Sequence, residues 1–374
     1  GFKIYIAGNI KQITYNSFYI DKLKQTPGIT FIDTSKYDGG GINITLAEFL
    51  KLQSECKTDL TVFPEADHHI SLFISQIFKK QKKIKGRIIG IFMRPFYYYR
   101  KKGMLERLRF FKHFLSRWKK DEQLFYDFFL NRFSLLDVAL CIDENCVARH
   151  RNLTWLPDMF QQYAEMLVPD ENAEQRIWIE KLNDFKEKNR DRFCLLYFGT
   201  AQKRRGYDLL LKMAVDRDAC FIHCGLNNTD QKYEYNISEL KETLRKDNRL
   251  METNQYISDP VCIEHFFKAV SHLILPYRNF FGSSGVMLQA LEYGIPVLVP
   301  NEGIMGYRVK KNNLGLTYNG NINSLPEQFD RFKKIPKETF RTAIAKYMRD
   351  QSPDNLKKIL VKAIKGADQT IPVL

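Results

Sequence analysis

An α/β fold built on parallel sheets is predicted by three features of this chain. Apolar runs of four to seven residues alternate with longer, helix-patterned stretches along most of its length. The runs are apolar throughout, as at 295–300, which suits strands covered by helices on both faces. Glycine-containing loops follow several of them, at Gly8, at Gly199 and at Gly282 to Gly285. A length of 374 residues suggests two such domains, each able to bury a core.

In chain order, the first strand covers 2–7 and ends in a loop at Gly8 and Asn9. A helix around 17–26 leads to a strand at 29–33, and Gly39, Gly40 and Gly41 form a loop. A helix near 45–54 precedes a strand at 60–63, and a second helix covers about 69–80. Residues 87–93 read as a strand, 101–119 and 121–133 as helices, and 138–142 as a strand. Prolines at 157 and 169 mark 150–172 as a linker, which divides the chain into domains 1–165 and 166–374. A charged amphipathic helix at 173–190 opens the second half. Its strands are expected at 193–198, 219–223, 272–275 and 296–299, and its helices near 207–214, 236–245, 260–269 and 284–293. The stretch 336–366 is mostly helical, and its last helix is expected to pack back on the first domain.

Charge is concentrated. The chain carries 58 Lys and Arg against 43 Asp and Glu, a formal net charge of +15. Residues 79–120 hold sixteen of the bases and one acid, Glu106, so the remainder of the chain balances. A surface for an anionic partner is expected there. No apolar run reaches the ~18–20 residues of a membrane span, and no leader-like run opens the chain. The seven cysteines contain no CxxC pair and mostly lie in apolar runs, so buried, reduced thiols in a cytoplasmic protein are expected. They suggest no metal site.

Two loops carry phosphate chemistry. In 281–303 a loop at Gly282, Ser283, Ser284 and Gly285 opens a short apolar helix closed by Gly294. Such a loop points free main-chain N–H groups and the positive end of the helix dipole at one spot, which is an anion site. In 195–214 a strand ends at Gly199, and Lys203, Arg204 and Arg205 precede Gly206 and a helix. Both loops belong at the carboxyl ends of parallel strands, where ligands bind. Guanidinium forks suit phosphate oxygens there.

FGTAQKRRGYDLLL, YISDPVCIEHFFKAVSHLILPYR and FGSSGVMLQALEYGIPVLVP, in this order over about 190–320, resemble the C-terminal half of the group 1 glycosyltransferases. The resemblance implies the GT-B architecture, two Rossmann-like domains with parallel sheets facing a central cleft. It further implies that Ser283, Ser284, Gly285 and Val286 present N–H groups to the diphosphate of a nucleotide sugar. Gln289 stands where the family has a Glu that holds the ribose hydroxyls, and Phe281 where another Glu contacts the donor sugar. Arg205 matches the family's phosphate-binding Lys. Thr200 replaces an Arg, for which Lys203 or Arg204 compensates. Tyr256, Ile257 and Ser258 fall in the loop that holds the base. A UDP- or GDP-sugar donor, no metal and a retaining course are what the resemblance implies.

The first domain would bind the acceptor. Its acid/base or sugar-orienting candidates are Glu65, Asp67, His68 and His69, just past a strand end, and Arg94, at the end of the next strand. Over 101–120, Met104, Leu108, Phe111, Leu115 and Trp118 recur at spacings of four and three, a stripe widened by Phe110 and Phe114. With Lys82, Lys83, Lys101, Lys102, Arg107, Lys112 and Lys119 it suits an anionic membrane surface. The function expected is transfer of a sugar from a nucleotide sugar to a hydroxyl of a lipid-linked glycan in bacterial surface polysaccharide assembly, at the cytoplasmic membrane face. The rivals are a basic nucleic-acid-binding protein, which would leave 282–289 unexplained, and a GT-B protein that binds nucleotide sugars without catalysis.

Overall fold

The structure, a computed structural model, describes residues 3–8, 25–33, 45–78, 84–93, 125–126, 130, 135–158, 173–228 and 231–365. Its contacts divide the chain into two compact units. The first is Gly1–Leu156 with Lys357–Leu374, and the second is Pro157–Leu356.

In the first unit β1 (Ile4–Gly8) runs parallel to β2 (Ile29–Asp33), with Ile4 opposite Ile29. Helix α1 (Leu46–Cys56) starts with a capping box. The Glu48 amide donates to the Thr45 hydroxyl, and the Thr45 amide donates to the Glu48 carboxylate at 2.8 Å. Four parallel strands follow in the order β3 (Leu60–Phe63), β4 (Arg87–Phe92), β5 (Val138–Cys141) and β6 (Leu153–Trp155). A 3₁₀ turn at Ala66–His69 and helix α2 (Ile70–Phe78) lie between β3 and β4, and the one-turn α3 (Glu144–Val147) lies between β5 and β6. Phe63, Phe73, Phe92, Phe125 and Tyr126 form a buried aromatic cluster with mostly tilted and edge-on rings, the packing that ring quadrupoles favour. The linker expected to begin at 150 therefore begins later. Leu153–Trp155 completes the sheet, and its three residues are too few to show a period.

The second unit opens with α4 (Ala173–Lys188). Strands β7 (Cys194–Phe198), β8 (Cys220–Cys224) and β9 (Leu250–Glu252) form one parallel sheet, with α5 (Tyr207–Asp216) and α6 (Ile237–Lys246) as crossovers. Helix α7 (Pro260–Lys268) is capped by Asp259, whose carboxylate accepts the Cys262 amide at 2.8 Å, and starts with Pro260, which lacks the N–H that would go unpaired there. Strands β10 (Leu273–Ile274), β11 (Val297–Pro300) and β12 (Gly315–Tyr318) form a second parallel sheet, with α8 (Gly285–Glu292) and α9 (Gly303–Asn312) between them. β10 contacts β7, so the strands run β9, β8, β7, β10, β11, β12 over one continuous core. Helices α10 (Leu325–Phe332), α11 (Arg341–Asp350) and α12 (Pro353–Lys365) complete the described chain.

One expectation about the cysteines is corrected. Cys194 and Cys220 are register partners on β7 and β8 and are joined as a disulfide, with Cα atoms 4.8 Å apart. They lie 26 residues apart in sequence, and only the strand register brings them together. Cys56, Cys141, Cys146, Cys224 and Cys262 are free. Among the described residues no group of acids, His and Cys could hold a metal, and no helix is long and apolar enough to cross a membrane.

Glu252, at the end of β9, ties α6 to the sheet. Its carboxylate meets Lys241 at 2.5 Å and Arg245 at 2.8 Å. Burial alone would raise its pKa. Hydrogen bonds from His223, Lys241 and Arg245 and the Lys241 charge outweigh burial and pull it down to about 2. A carboxylate depressed in the fold contributes stability above its unfolded pKa and loses it as pH falls through the folded value. We expect Glu252→Gln to cost on the order of 2 kcal/mol at neutral pH and to flatten the loss of stability between pH 5 and pH 2. Chemical denaturation across that range measures both.

Candidate functional site

The strand order reverses between β7 and β10, so the loops leaving their carboxyl ends diverge and open a crevice. Residues 199–206 leave β7, and residues 275–284 leave β10. Both phosphate-friendly loops of the sequence therefore border one crevice in the second unit.

Side chains of the sheet hold the first loop from below. The Tyr197 hydroxyl donates to the Thr200 carbonyl at 2.9 Å and accepts the Gln202 amide at 3.0 Å. His223 Nε2 lies 3.1 Å from the Gly199 carbonyl. A carbonyl only accepts, so Nε2 carries a proton in this contact. Gly199 has φ +106°, and a Cβ there would come 2.7 Å from Arg205 Nη1, so the guanidinium lies directly over the glycine. Arg204 stacks on Phe280, with its guanidinium carbon 5.1 Å from the ring centre. Lys203, Arg204 and Arg205 form one 3₁₀ turn with no buried residue.

Arg278 joins this loop to the second one. Its amide donates to the Arg204 carbonyl at 2.8 Å, and its Nη1 donates to the Lys203 carbonyl at 2.6 Å. The guanidinium also forks onto Asp208, at 2.7 and 3.1 Å, and reaches Glu234 at 3.2 Å. Asp208 is fully buried at the start of α5. Neither Arg278 nor Asp208 stood out in the sequence, because 70 residues separate them.

Ser284 is the N-cap of α8. Its hydroxyl accepts the Met287 amide at 3.3 Å and faces the Tyr277 hydroxyl at the same distance. The amides of Gly285 and Val286 meet no acceptor among the described residues. A Cβ on Gly285 would meet nothing within 4 Å, so the helix opens on free space. Behind it Gln289 is buried, and its Nε2 has no partner among the described residues. Ser283 is held differently, by Asp158 and Arg308. Tyr256, 74% exposed, stands on the loop after β9 beside the buried Ile257. The structure thus gathers Thr200, Lys203, Arg204, Arg205, Ser283, Ser284, Gly285 and Val286 around one crevice at the sheet edge.

The first-unit candidates take several roles. Asp67 accepts the Met93 amide at 2.6 Å and the Tyr126 hydroxyl at 3.1 Å, so one oxygen holds the chain just past β4 and the other holds Tyr126. His69 packs against Phe63, with ring centres 5.0 Å apart. Burial first, and then the neighbouring His68, push its pKa down to about 4, so the ring is neutral at pH 7. The Glu65 carboxylate and His68 Nε2 lie 3.0 Å apart, with both side chains well exposed. Arg94 and the ten expected membrane-facing residues, from Lys82 to Lys119, lie outside the described residues.

No family model matches the chain, and no curated protein matches it. Solved structures do. A glycosyltransferase from Rickettsia africae ESF-5 aligns over 98% of this chain and 100% of its own, with a TM-score of 0.57 and 11% identity. WaaG, a glycosyltransferase involved in lipopolysaccharide biosynthesis, aligns over 97% of both chains, with a TM-score of 0.53 and 14% identity. An α,α-trehalose-phosphate synthase (UDP-forming) from Burkholderia vietnamiensis aligns over 98% of both, with a TM-score of 0.56 and 10% identity. With parallel sheets in two α/β units and these neighbours across nearly its whole length, the chain has the GT-B fold.

Proposed function

We propose that the protein is a glycosyltransferase whose second unit grips the diphosphate of a UDP- or GDP-sugar and passes the sugar to an acceptor hydroxyl. One observation carries this reading. The open N-terminus of α8, with the amides of Gly285 and Val286 unpaired, borders the same crevice as the Arg204 and Arg205 loop. Both features stabilise negative charge. In a glycosyl transfer, negative charge grows on the departing diphosphate, so fixed N–H groups and guanidinium groups there lower the barrier. No metal is needed for that role, and a retaining course requires no dedicated base. Tyr256 offers an exposed ring on which a base can stack, and the orphan Gln289 amide suits the ribose hydroxyls.

The acceptor proposed is a lipid-linked glycan of bacterial surface polysaccharide assembly, met at the cytoplasmic membrane face by the basic, aromatic segment 79–120. Sixteen bases against one acid in that segment support it. One structural neighbour is described as acting in lipopolysaccharide biosynthesis. Pelleting with anionic and with neutral vesicles tests the membrane part. Equal pelleting with both, or none, removes it.

Thermal-shift measurements with UDP, GDP, CDP and dTDP should pick one base, and release of that nucleotide from its sugars in the presence of a lipid acceptor should follow. Binding without turnover for any sugar would reduce the protein to a nucleotide-sugar-binding module. Arg205→Ala should weaken the nucleoside diphosphate about tenfold, the usual worth of one charged hydrogen bond. Ser284→Asp keeps a good N-cap but places a negative charge against the phosphates, and should weaken binding at least as much. Calorimetry reads both, and unchanged affinities would remove the cradle from the donor site. Arg278→Met leaves the Asp208 carboxylate buried without its counter-charge. It should cost about 3 kcal/mol in urea denaturation and weaken nucleotide binding as well.

A further inference from the structure

Beneath the cradle loop lies a buried ion pair with no counterpart in the sequence pattern. Arg308 of α9 is wholly buried, with Nη1 2.5 Å from Asp158 Oδ2. The Ser283 hydroxyl donates to that same oxygen and accepts from Arg308 Nη1 at 2.8 Å. The Asp158 amide donates to the Gln351 side-chain carbonyl at 2.7 Å, and Gln351 is itself buried. Helix α9 grips the loop a second time. The Ile304 amide donates to the Phe281 carbonyl at 3.1 Å, and a Cβ on Gly303 (φ +68°) would come 2.6 Å from Phe281 Cα.

We infer that Asp158 and Arg308 are positioning residues that set the cradle amides through Ser283. The inference rests on the donor reading above. Two apolar side chains of similar size would fill this space as stably as a buried ion pair does, so stability alone gives no reason for the charges. The geometry supplies one. A hydroxyl is fixed in direction only when one neighbour takes its proton and another fills its lone pair, and the pair does both for Ser283. Asp158 also neutralises a guanidinium that would otherwise draw phosphate down into the loop. Ser283 then spends its side chain on the scaffold and leaves only its main-chain N–H facing the crevice.

Ser283→Ala tests this, since it keeps the ion pair and every amide and removes only the tether. Three amides report the loop's position: Met287 and Leu288, which donate to Ser284, and Ile304, which donates to Phe281. Hydrogen exchange of the ligand-free variant should quicken about tenfold at these three. The Phe221 amide, which donates to Arg249 within the sheet, should keep its protection. Affinity for UDP or GDP should fall about fivefold, the worth of one ordinary hydrogen bond. Asp158→Asn retains an acceptor oxygen and should restore most of the loop protection that Asp158→Ala loses. Unchanged exchange at the three amides in Ser283→Ala overturns the inference, as does an equal loss at Phe221. If the three amides respond and the unaltered protein binds neither nucleotide, the positioning pair stands and the donor reading fails.

Discussion

The site depends on Arg278. At a topological switch point two loops leave neighbouring strands in opposite directions, and nothing in the sheet itself keeps them together. Here Arg278 spans the gap: its amide takes the Arg204 carbonyl, and its guanidinium takes the Lys203 carbonyl and the buried Asp208 carboxylate at the root of α5. The arrangement also manages charge. Arg278 is neutralised by Asp208 and Glu234, so it acts as a brace, while Arg204 and Arg205, in a turn with no buried residue, keep their charge for a ligand. The crevice is therefore positive at its rim and nearly neutral in its frame.

The strands at 29–33 and 60–63 form at the residues expected, and α5 and α8 start where their loop signals placed them. Those elements are coded locally, by an apolar run, a glycine turn or a Ser cap. Strands β6, β9 and β12 were not legible, since LTW, LME and GLTY each carry only two apolar residues and form no run. The loops at 200–206 and 282–286 stood out in the sequence because glycine, serine and basic residues lie close together there, and both leave the carboxyl ends of neighbouring strands. Asp208 with Arg278, and Asp158 with Arg308, were not. Each pair joins residues 70 or 150 positions apart, and an isolated Arg or Asp in a sequence is indistinguishable from a solvated one.

In the first unit, proximity in sequence proved a poor guide to shared chemistry. Glu65, Asp67, His68 and His69 follow one another past the end of β3, yet they divide between the scaffold and the surface. Asp67 holds β4 and Tyr126, His69 packs as a neutral ring on Phe63, and Glu65 and His68 meet in the open. A 3₁₀ turn sends consecutive side chains about a third of a circle apart, so neighbours in sequence face different surroundings.

The cradle has a consequence for how such a protein can change. The Phe281 carbonyl and the Ser283 hydroxyl are committed to α9, and the Ser284 hydroxyl is committed to α8. What remains for an anion is main chain. Every residue type except proline carries the same N–H, so no ordinary side-chain replacement within the loop deletes that grip outright. On the proposed reading, the positions that meet a sugar or a base, Phe281, Gln289 and Tyr256, lie outside this main-chain grip. If the cradle holds a nucleotide sugar as proposed, substitution can reset which molecule is chosen while the main-chain means of holding it is kept.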